Sequence, residues 1–201
     1  MEEAWWRRPS TLPLFMLLFA ILIISFGGAI RIHDAGESCP DWPKCFGTYG
    51  FDISEDEQEA YWEENPDEID SRGEGHRYTV FEIFLEWSHR FLVGVIAIPV
   101  LLNVLVAKRK IDFYGKTNFR TSIFIAVLLC VQAFAGAITV FYDNADWSVA
   151  LHLSLASIFT ASILWQYMLT RVREGAKWRF LDVALDFKTK YRKKFDLTAI
   201  S

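Results

Sequence analysis

The stretch Glu86-Trp87-Ser88-His89-Arg90 sets three ionisable side chains at the start of an apolar run that continues from Phe91 to Ala107. In a helix Glu86 and His89 stand three residues apart and share one face. An ionisable group inside an apolar span costs about 2.5–3.5 kcal/mol on insertion scales, so each needs a partner or a task. A second isolated histidine, His152, lies near the start of the last apolar run. Two imidazoles on different helices are a donor set for one metal centre, with Glu86 working beside it. Arg90 offers a guanidinium fork for a carboxylate. Plainer readings stay open on spacing alone: a hydrogen bond to a neighbouring helix for each histidine, and an i,i+4 salt bridge between Glu86 and Arg90.

The elements that must position these groups are apolar runs at Leu12–Ile30, Phe81–Ala107, Ser122–Phe141 and Trp147–Leu169. Each reaches the ~20 residues that cross a hydrocarbon core, which predicts an all-α integral membrane protein, a bundle of four transmembrane helices. The first run follows Trp5, Trp6, Arg7 and Arg8 and lacks a convincing cleavage site, so it reads as a retained span whose Gly27-Gly28-Ala29 allows close packing. His89 falls about 12 Å into the second span and His152 about 7.5 Å into the fourth, at 1.5 Å per residue. Such matching depth is what one bis-histidine haem requires, and Arg90 could then pair with a haem propionate. Gln132, Gly136 and Thr139 share a face of the third span: Gln132 can bond a buried ligand and Gly136 gives room for a planar group, with ordinary helix packing as the alternative. Pro99 predicts a kink. Cys130 reads as a small apolar packing residue, and Ser154, Ser157, Thr160 and Ser162 as packing or back-bonding residues.

Charge predicts the orientation. Residues 108–120 carry five Lys/Arg against Asp112, and the tail from Arg171 carries nine against four acids. The connection 31–79 carries four Lys/Arg against fourteen Asp/Glu. The positive-inside rule puts both termini in the cytoplasm and the cysteine-bearing connection on the outer face of a multi-pass protein of the cell membrane. The net charge of −4 is therefore a sum of opposite regions and calls for no nucleic acid. Residues 1–172 form the expected membrane domain; 173–201 form a basic cytoplasmic tail whose Trp178, Leu181 and Leu185 suit an amphipathic helix on the lipid surface. Cys39 and Cys45, in an oxidising compartment, suit a disulfide; a zinc site or free thiols are the alternatives, although two cysteines do not complete tetrahedral zinc. The acidic stretch 52–74 shows no apolar periodicity beyond Tyr61 and Trp62 and reads as a solvated flap. His33 and His76 read as surface histidines.

Together these residues resemble the heme A synthase family. Gly27-Gly28-Ala29-Ile30-Arg31 with the loop Cys39-Pro40-Asp41-Trp42-Pro43-Lys44-Cys45 is similar to its first-span exit and cysteine loop. Glu86-x-x-His89-Arg90, Gln132 with Gly136-Ala137-Ile138-Thr139-Val140, and His152-Leu153 resemble its later span motifs, in family order. The resemblance implies a haem-dependent membrane oxidoreductase that converts heme O to heme A for terminal-oxidase assembly. His89 and His152 would be axial ligands of haem (heme O substrate, heme b, or both), with Arg90 and Gln132 binding it and Glu86 catalytic. Family members commonly have eight spans in two halves. A chain matching the substrate-holding half is expected to pair at least as a homodimer, with heme O synthase as a possible partner. A b-type electron carrier, or a haem chaperone serving oxidase assembly, would explain the histidines without oxygenation chemistry.

Overall fold

The computed structural model describes residues 8–176. Trp5, Trp6 and the tail positions Trp178, Leu181 and Leu185 lie outside the described residues. The order is α1 (Thr11–Ile32), α2 (Glu55–Glu64), a 3-10 turn (Pro66–Glu68), α3 (Val80–Arg109), α4 (Ile111–Phe141) and α5 (Asp146–Arg173). Among the described residues there is no strand, and α1, α3, α4 and α5 are long and apolar enough to cross a membrane. The chain is a helical membrane protein.

The helices follow from their residues. In α1 no charged side chain precedes Arg31, and apolar residues fill the interval. The start of α3 is set by a capping box, in which the Thr79 hydroxyl accepts from Glu82 N and the Glu82 carboxylate accepts from Thr79 N. With 30 residues, α3 is about 45 Å long against a hydrocarbon core of about 30 Å. It runs unbroken through the buried Pro99. The third span begins well before Ser122: hydropathy marks where a helix leaves the hydrocarbon, not where it ends, and the basic residues around Lys116 and Arg120 extend α4 beyond the apolar run. Gly115, at φ 84°, is the one position inside α4 that leaves helical geometry, and it separates a short first turn from the long span.

α1 packs on α3, α3 on α4, α4 on α5 and α5 on α1, so α3 and α5 stand at opposite corners of a square. The mid-bundle core is Met16, Ala20, Ile96, Val100, Ile125, Leu128, Phe159 and Ile163. Phe15, Leu18, Ile98, Leu101, Phe134 and Leu153 point outward, as lipid-facing side chains do. Cys130 is also exposed and takes no part in the core, because its position on α4 faces away from both neighbouring helices. Ser154, Ser157, Thr160 and Ser162 each donate to the carbonyl four residues back, which satisfies a hydroxyl in an apolar span. At the end away from the cysteines, Asn103 donates to Gln166, Gln166 to Asn118 and Asn118 to Thr170, at 2.8, 3.2 and 2.8 Å.

The connection before α3 is a folded cap, not a solvated flap. Ser54 and Glu57 form a second capping box, and α2 turns Gln58 and Trp62, four residues apart, toward the protein while its acids face out. Trp62, Tyr78, Ile83, Phe46 and Ile53 close around the two cysteines in a core of their own. The Gln58 amide pairs with the Tyr78 backbone in both directions, each at 2.9 Å, as a strand partner would. Burial and the hydrogen bond to Asp70 hold the Tyr78 hydroxyl above its ordinary range. Gln58→Leu is expected to strand both Tyr78 backbone groups at about 1–3 kcal/mol each. Limited proteolysis should then cut within residues 46–78 while the helix content by circular dichroism stays constant; resistance equal to the parent's would refute this pairing.

Candidate functional site

Cys39 and Cys45 are joined in a disulfide, with their Cα atoms 4.5 Å apart. Behind Cys45 the chain reverses through Phe46 (φ 49°) and Gly47 (φ 73°), closed by Cys45 N–H to Thr48 O at 2.9 Å. Two successive positive φ values are the signature of a primed hairpin turn, which glycine at the second place makes easy. The short loop cannot satisfy its own carbonyls by secondary structure, and α3 supplies the missing donors. Arg90 Nη1 donates to Asp41 O and Lys44 O at 2.5 and 2.6 Å, and Nη2 donates to Cys39 O at 2.8 Å.

The same guanidinium reaches Glu86 Oε1 at 2.5 Å, and the two side chains are 12% and 7% exposed. Glu86 Oε2 accepts from Ser38 Oγ and Cys39 N–H, both at 3.0 Å. Carboxylate and guanidinium, one helical turn apart on α3, thus clamp the disulfide loop from both sides. The opposite hairpin holds it too. Asn144, in the turn between α4 and α5, donates to Gly36 O at 2.6 Å, where a Cβ on Gly36 would lie 2.9 Å from the Asn144 amide nitrogen.

Beneath the loop stand the two histidines, each on a corner helix and each against a glycine of the helix beside it. A Cβ on Gly27 of α1 would come within 3.3 Å of His89 Cε1, and one on Gly136 of α4 within 3.1 Å of His152 Cε1. Gly136 therefore makes room for an imidazole; Gly28 has nothing within 4 Å. His89 Nδ1 lies 3.1 Å from Ile23 O. A carbonyl only accepts, so Nδ1 carries the proton and Nε2 keeps its lone pair. His152 is held by Gln132, whose Nε2 donates to His152 O at 2.9 Å and lies 3.2 Å from Nδ1.

The profile of the COX15-CtaA family, cytochrome oxidase assembly proteins, matches residues 10–193. The chain belongs to this family. It is 25% identical to a heme A synthase of Exiguobacterium sibiricum over 86% of this chain and 50% of that one. Heme A synthases of Shewanella oneidensis and Bacillus pumilus are 28% and 32% identical over 78% and 73% of this chain. The chain spans about half the length of these curated relatives, 40–50% of each. No solved structure matches it.

In this member of the COX15-CtaA family the structure gathers the residues that spacing singled out into two groups. Glu86, Arg90, Cys39 and Cys45 form the clamped loop; below it His89 sits against Ile23 of α1, and His152 against Gln132 of α4. His33 and His76 join neither: His33 lies edge-on to Phe81, and His76 contacts Arg72 and Tyr78. Ser38, Gly36 and Asn144 were missed by sequence reasoning, since their task depends on contacts across long chain separations. Arg90→Ala leaves the buried Glu86 carboxylate without its counter-charge, a loss of about 3–5 kcal/mol for a buried pair. The expected outcome is protease cleavage between residues 36 and 48 with the helices intact, measured by digestion and mass analysis; an uncut loop would show that the disulfide and Asn144 hold it alone.

Proposed function

We propose that the chain is a heme A synthase unit that oxidises the C8 methyl of heme O to a formyl group by successive hydroxylations. The observation that carries this reading is the histidine pair. Two imidazoles at opposite corners of one bundle, one fixed as the Nδ1–H tautomer with a bare Nε2, have the chemistry of a haem ligand set. An outer hydrogen bond that sets the tautomer and orientation is the usual support of a metal-binding histidine. The relatives named heme A synthases support the same substrate.

His89 and His152 would hold the iron of heme O, or of a haem b where the chain uses one as cofactor, and Gln132 would steady His152. The haem supplies the oxidation–reduction chemistry once bound. Glu86, one turn before His89, would place a negative charge to stabilise positive charge at the methyl carbon, or would accept its proton. Arg90 would hold that carboxylate in place; both of its Nη groups are given to Asp41 O, Lys44 O, Cys39 O and Glu86, so the fork expected for a propionate is already filled. The disulfide loop would close the site to water. Charge asymmetry supports cytoplasmic termini with this loop on the outer face. A second copy of the chain would supply the other four helices, and a heme O synthase would deliver substrate.

One observation favours a second reading. Glu86 is already engaged by three loop and helix donors, so it could be purely structural in a b-type haem carrier or chaperone. Glu86→Gln separates the two, because it keeps much of the hydrogen-bonding shape and removes the charge. Membranes expressing the chain beside a heme O source, with reductant and oxygen supplied, should yield heme A or its hydroxylated precursor on acid-acetone extraction and mass analysis. Glu86→Gln should lower that yield at least about a hundredfold, the order of one general-base or electrostatic group, with haem still bound. Unmodified haem from the parent chain would refute the synthase reading in favour of the carrier.

A further inference from the structure

The fourteen acids of the connection before α3 are unevenly spread. Seven fall within residues 52–64, on or just before α2, and all seven are exposed. Residues 42–51 hold none, and Lys44 is the only charged side chain among them. Lys44 makes no ion pair among the described residues and stands 5.8 Å over the Tyr49 ring. Trp42 and Tyr49 are both exposed, Tyr49 to 71%. The cap thus has one acidic face and one aromatic face with a single free cation.

The aromatic face is joined to α3. Phe51 packs on Phe84 and Trp87, with ring centroids 5.1 and 5.0 Å apart, and Trp87 Nε1 donates to Tyr49 O at 2.8 Å. Trp87 stacks in turn on Phe91 at 5.3 Å. Phe84, Phe91, Ile98 and Leu105 recur at seven-residue steps, so they form one stripe along α3, and all four are exposed. The surface of the loop therefore continues the lipid-facing side of a spanning helix. Depth agrees with this. Counting back 21 residues from Leu105, the last exposed apolar side chain before Lys108, reaches Phe84. At 1.5 Å per residue that is about 32 Å, against a hydrocarbon core of about 30 Å, so Phe84 and the loop packed on it sit at the headgroup boundary. The turn between α4 and α5 marks the same level independently. Tyr142 and Trp147 are exposed there, edge to face at 5.2 Å, as interfacial aromatics are, and Asn144 between them donates to Gly36 O at 2.6 Å, close before Cys39.

We propose that residues 42–51 are a membrane-binding element, whose aromatic side chains rest in the headgroup layer of the leaflet at this end while Lys44 meets lipid phosphate. Rings with an apolar body and a polar tip, beside a lysine whose stem is apolar, are the side chains that favour this layer. The acids, which a phosphate layer would repel, are kept to the face that carries α2. Because Arg90 donates to Lys44 O and Cys39 O, the leaflet holds the same loop that α3 clamps. No haem is needed for this seating.

Spin-label accessibility in the full-length chain, reconstituted into nanodiscs of phosphatidylcholine and phosphatidylglycerol, tests it. Cys130→Ala removes the free thiol. A nitroxide is then attached through Tyr49→Cys or, on the exposed face of α2, through Glu63→Cys. Position 49 should collide freely with oxygen and several-fold less often than position 63 with a water-soluble nickel complex. Equal nickel collision at the two positions would show a solvated loop, and exclusion of both reagents at position 49 would show that protein, such as a second copy of the chain, covers it; either result overturns the proposal. Lys44→Glu should raise nickel collision at position 49 about fivefold, the worth of one cation near an anionic leaflet, and leave position 63 as it was. No change at position 49 would also overturn it. Tyr49 holds Trp87 through its backbone carbonyl, so the labelled chains should keep the parent's helix content and an intact Cys39–Cys45 disulfide.

Discussion

A seven-residue loop closed by a disulfide presents carbonyls at Cys39, Asp41 and Lys44 that no ladder or helix can satisfy. Arg90 donates to all three, and it can do so only because Glu86, one turn earlier on α3, balances its charge out of water. The arrangement is reciprocal. Without the carboxylate the guanidinium would be an unpaired buried cation, and without the loop the carboxylate would lose Ser38 and Cys39. Burying either charge alone costs more than the pair returns, so the two residues and the loop stand or fall together. Because His89 lies between Glu86 and Arg90 on the same helix, the position of the disulfide loop and the position of an imidazole are set by one rigid segment.

The bundle repeats one device twice. An ascending helix ends in glycine and small residues, Gly27-Gly28-Ala29-Ile30 in α1 and Ala135-Gly136-Ala137-Ile138 in α4. The helix packed on it offers a histidine to that gap. In both halves the ring meets the backbone of the residue four before the glycine, Ile23 for His89 and Gln132 for His152, and the Gln132 side-chain amide adds a bond to His152 O. One steric design thus places an imidazole on each of two helices from similar parts.

Much of this was legible from residue types. Run length and charge content marked the spanning helices because an apolar solvent forces the backbone to satisfy itself. Glu86, His89, Arg90 and His152 stood out because ionisable groups are costly there. The cap was legible too and was overlooked: Ser54-x-x-Glu57 and Thr79-x-x-Glu82 are capping boxes, and Gln58 with Trp62 is an i,i+4 inward pair hidden among acids. Net acidity suggests solvation, yet acids on the outer face of a helix are compatible with a buried inner one. What spacing could not reveal were contacts between distant segments, such as Asn144 on Gly36 or Arg90 on three loop carbonyls. Gly136 looked like space for a planar group because nothing local shows that His152 fills it.

The amide chain at the other end has a mechanical consequence. Asn103 on α3 bonds Gln166 on α5 across the diagonal, and Asn118 ties the same amide to α4. Apolar side chains slide past one another at little cost, whereas each side-chain hydrogen bond inside a membrane resists separation by about 0.6 kcal/mol and fixes a distance. The crosspiece therefore sets the α3–α5 spacing at this end by bonds of fixed length, as the clamped disulfide loop sets the other end by tying α3 to the connection before it. Between these two polar ties the mid-bundle core rests on apolar contact alone, like a beam bolted at both ends.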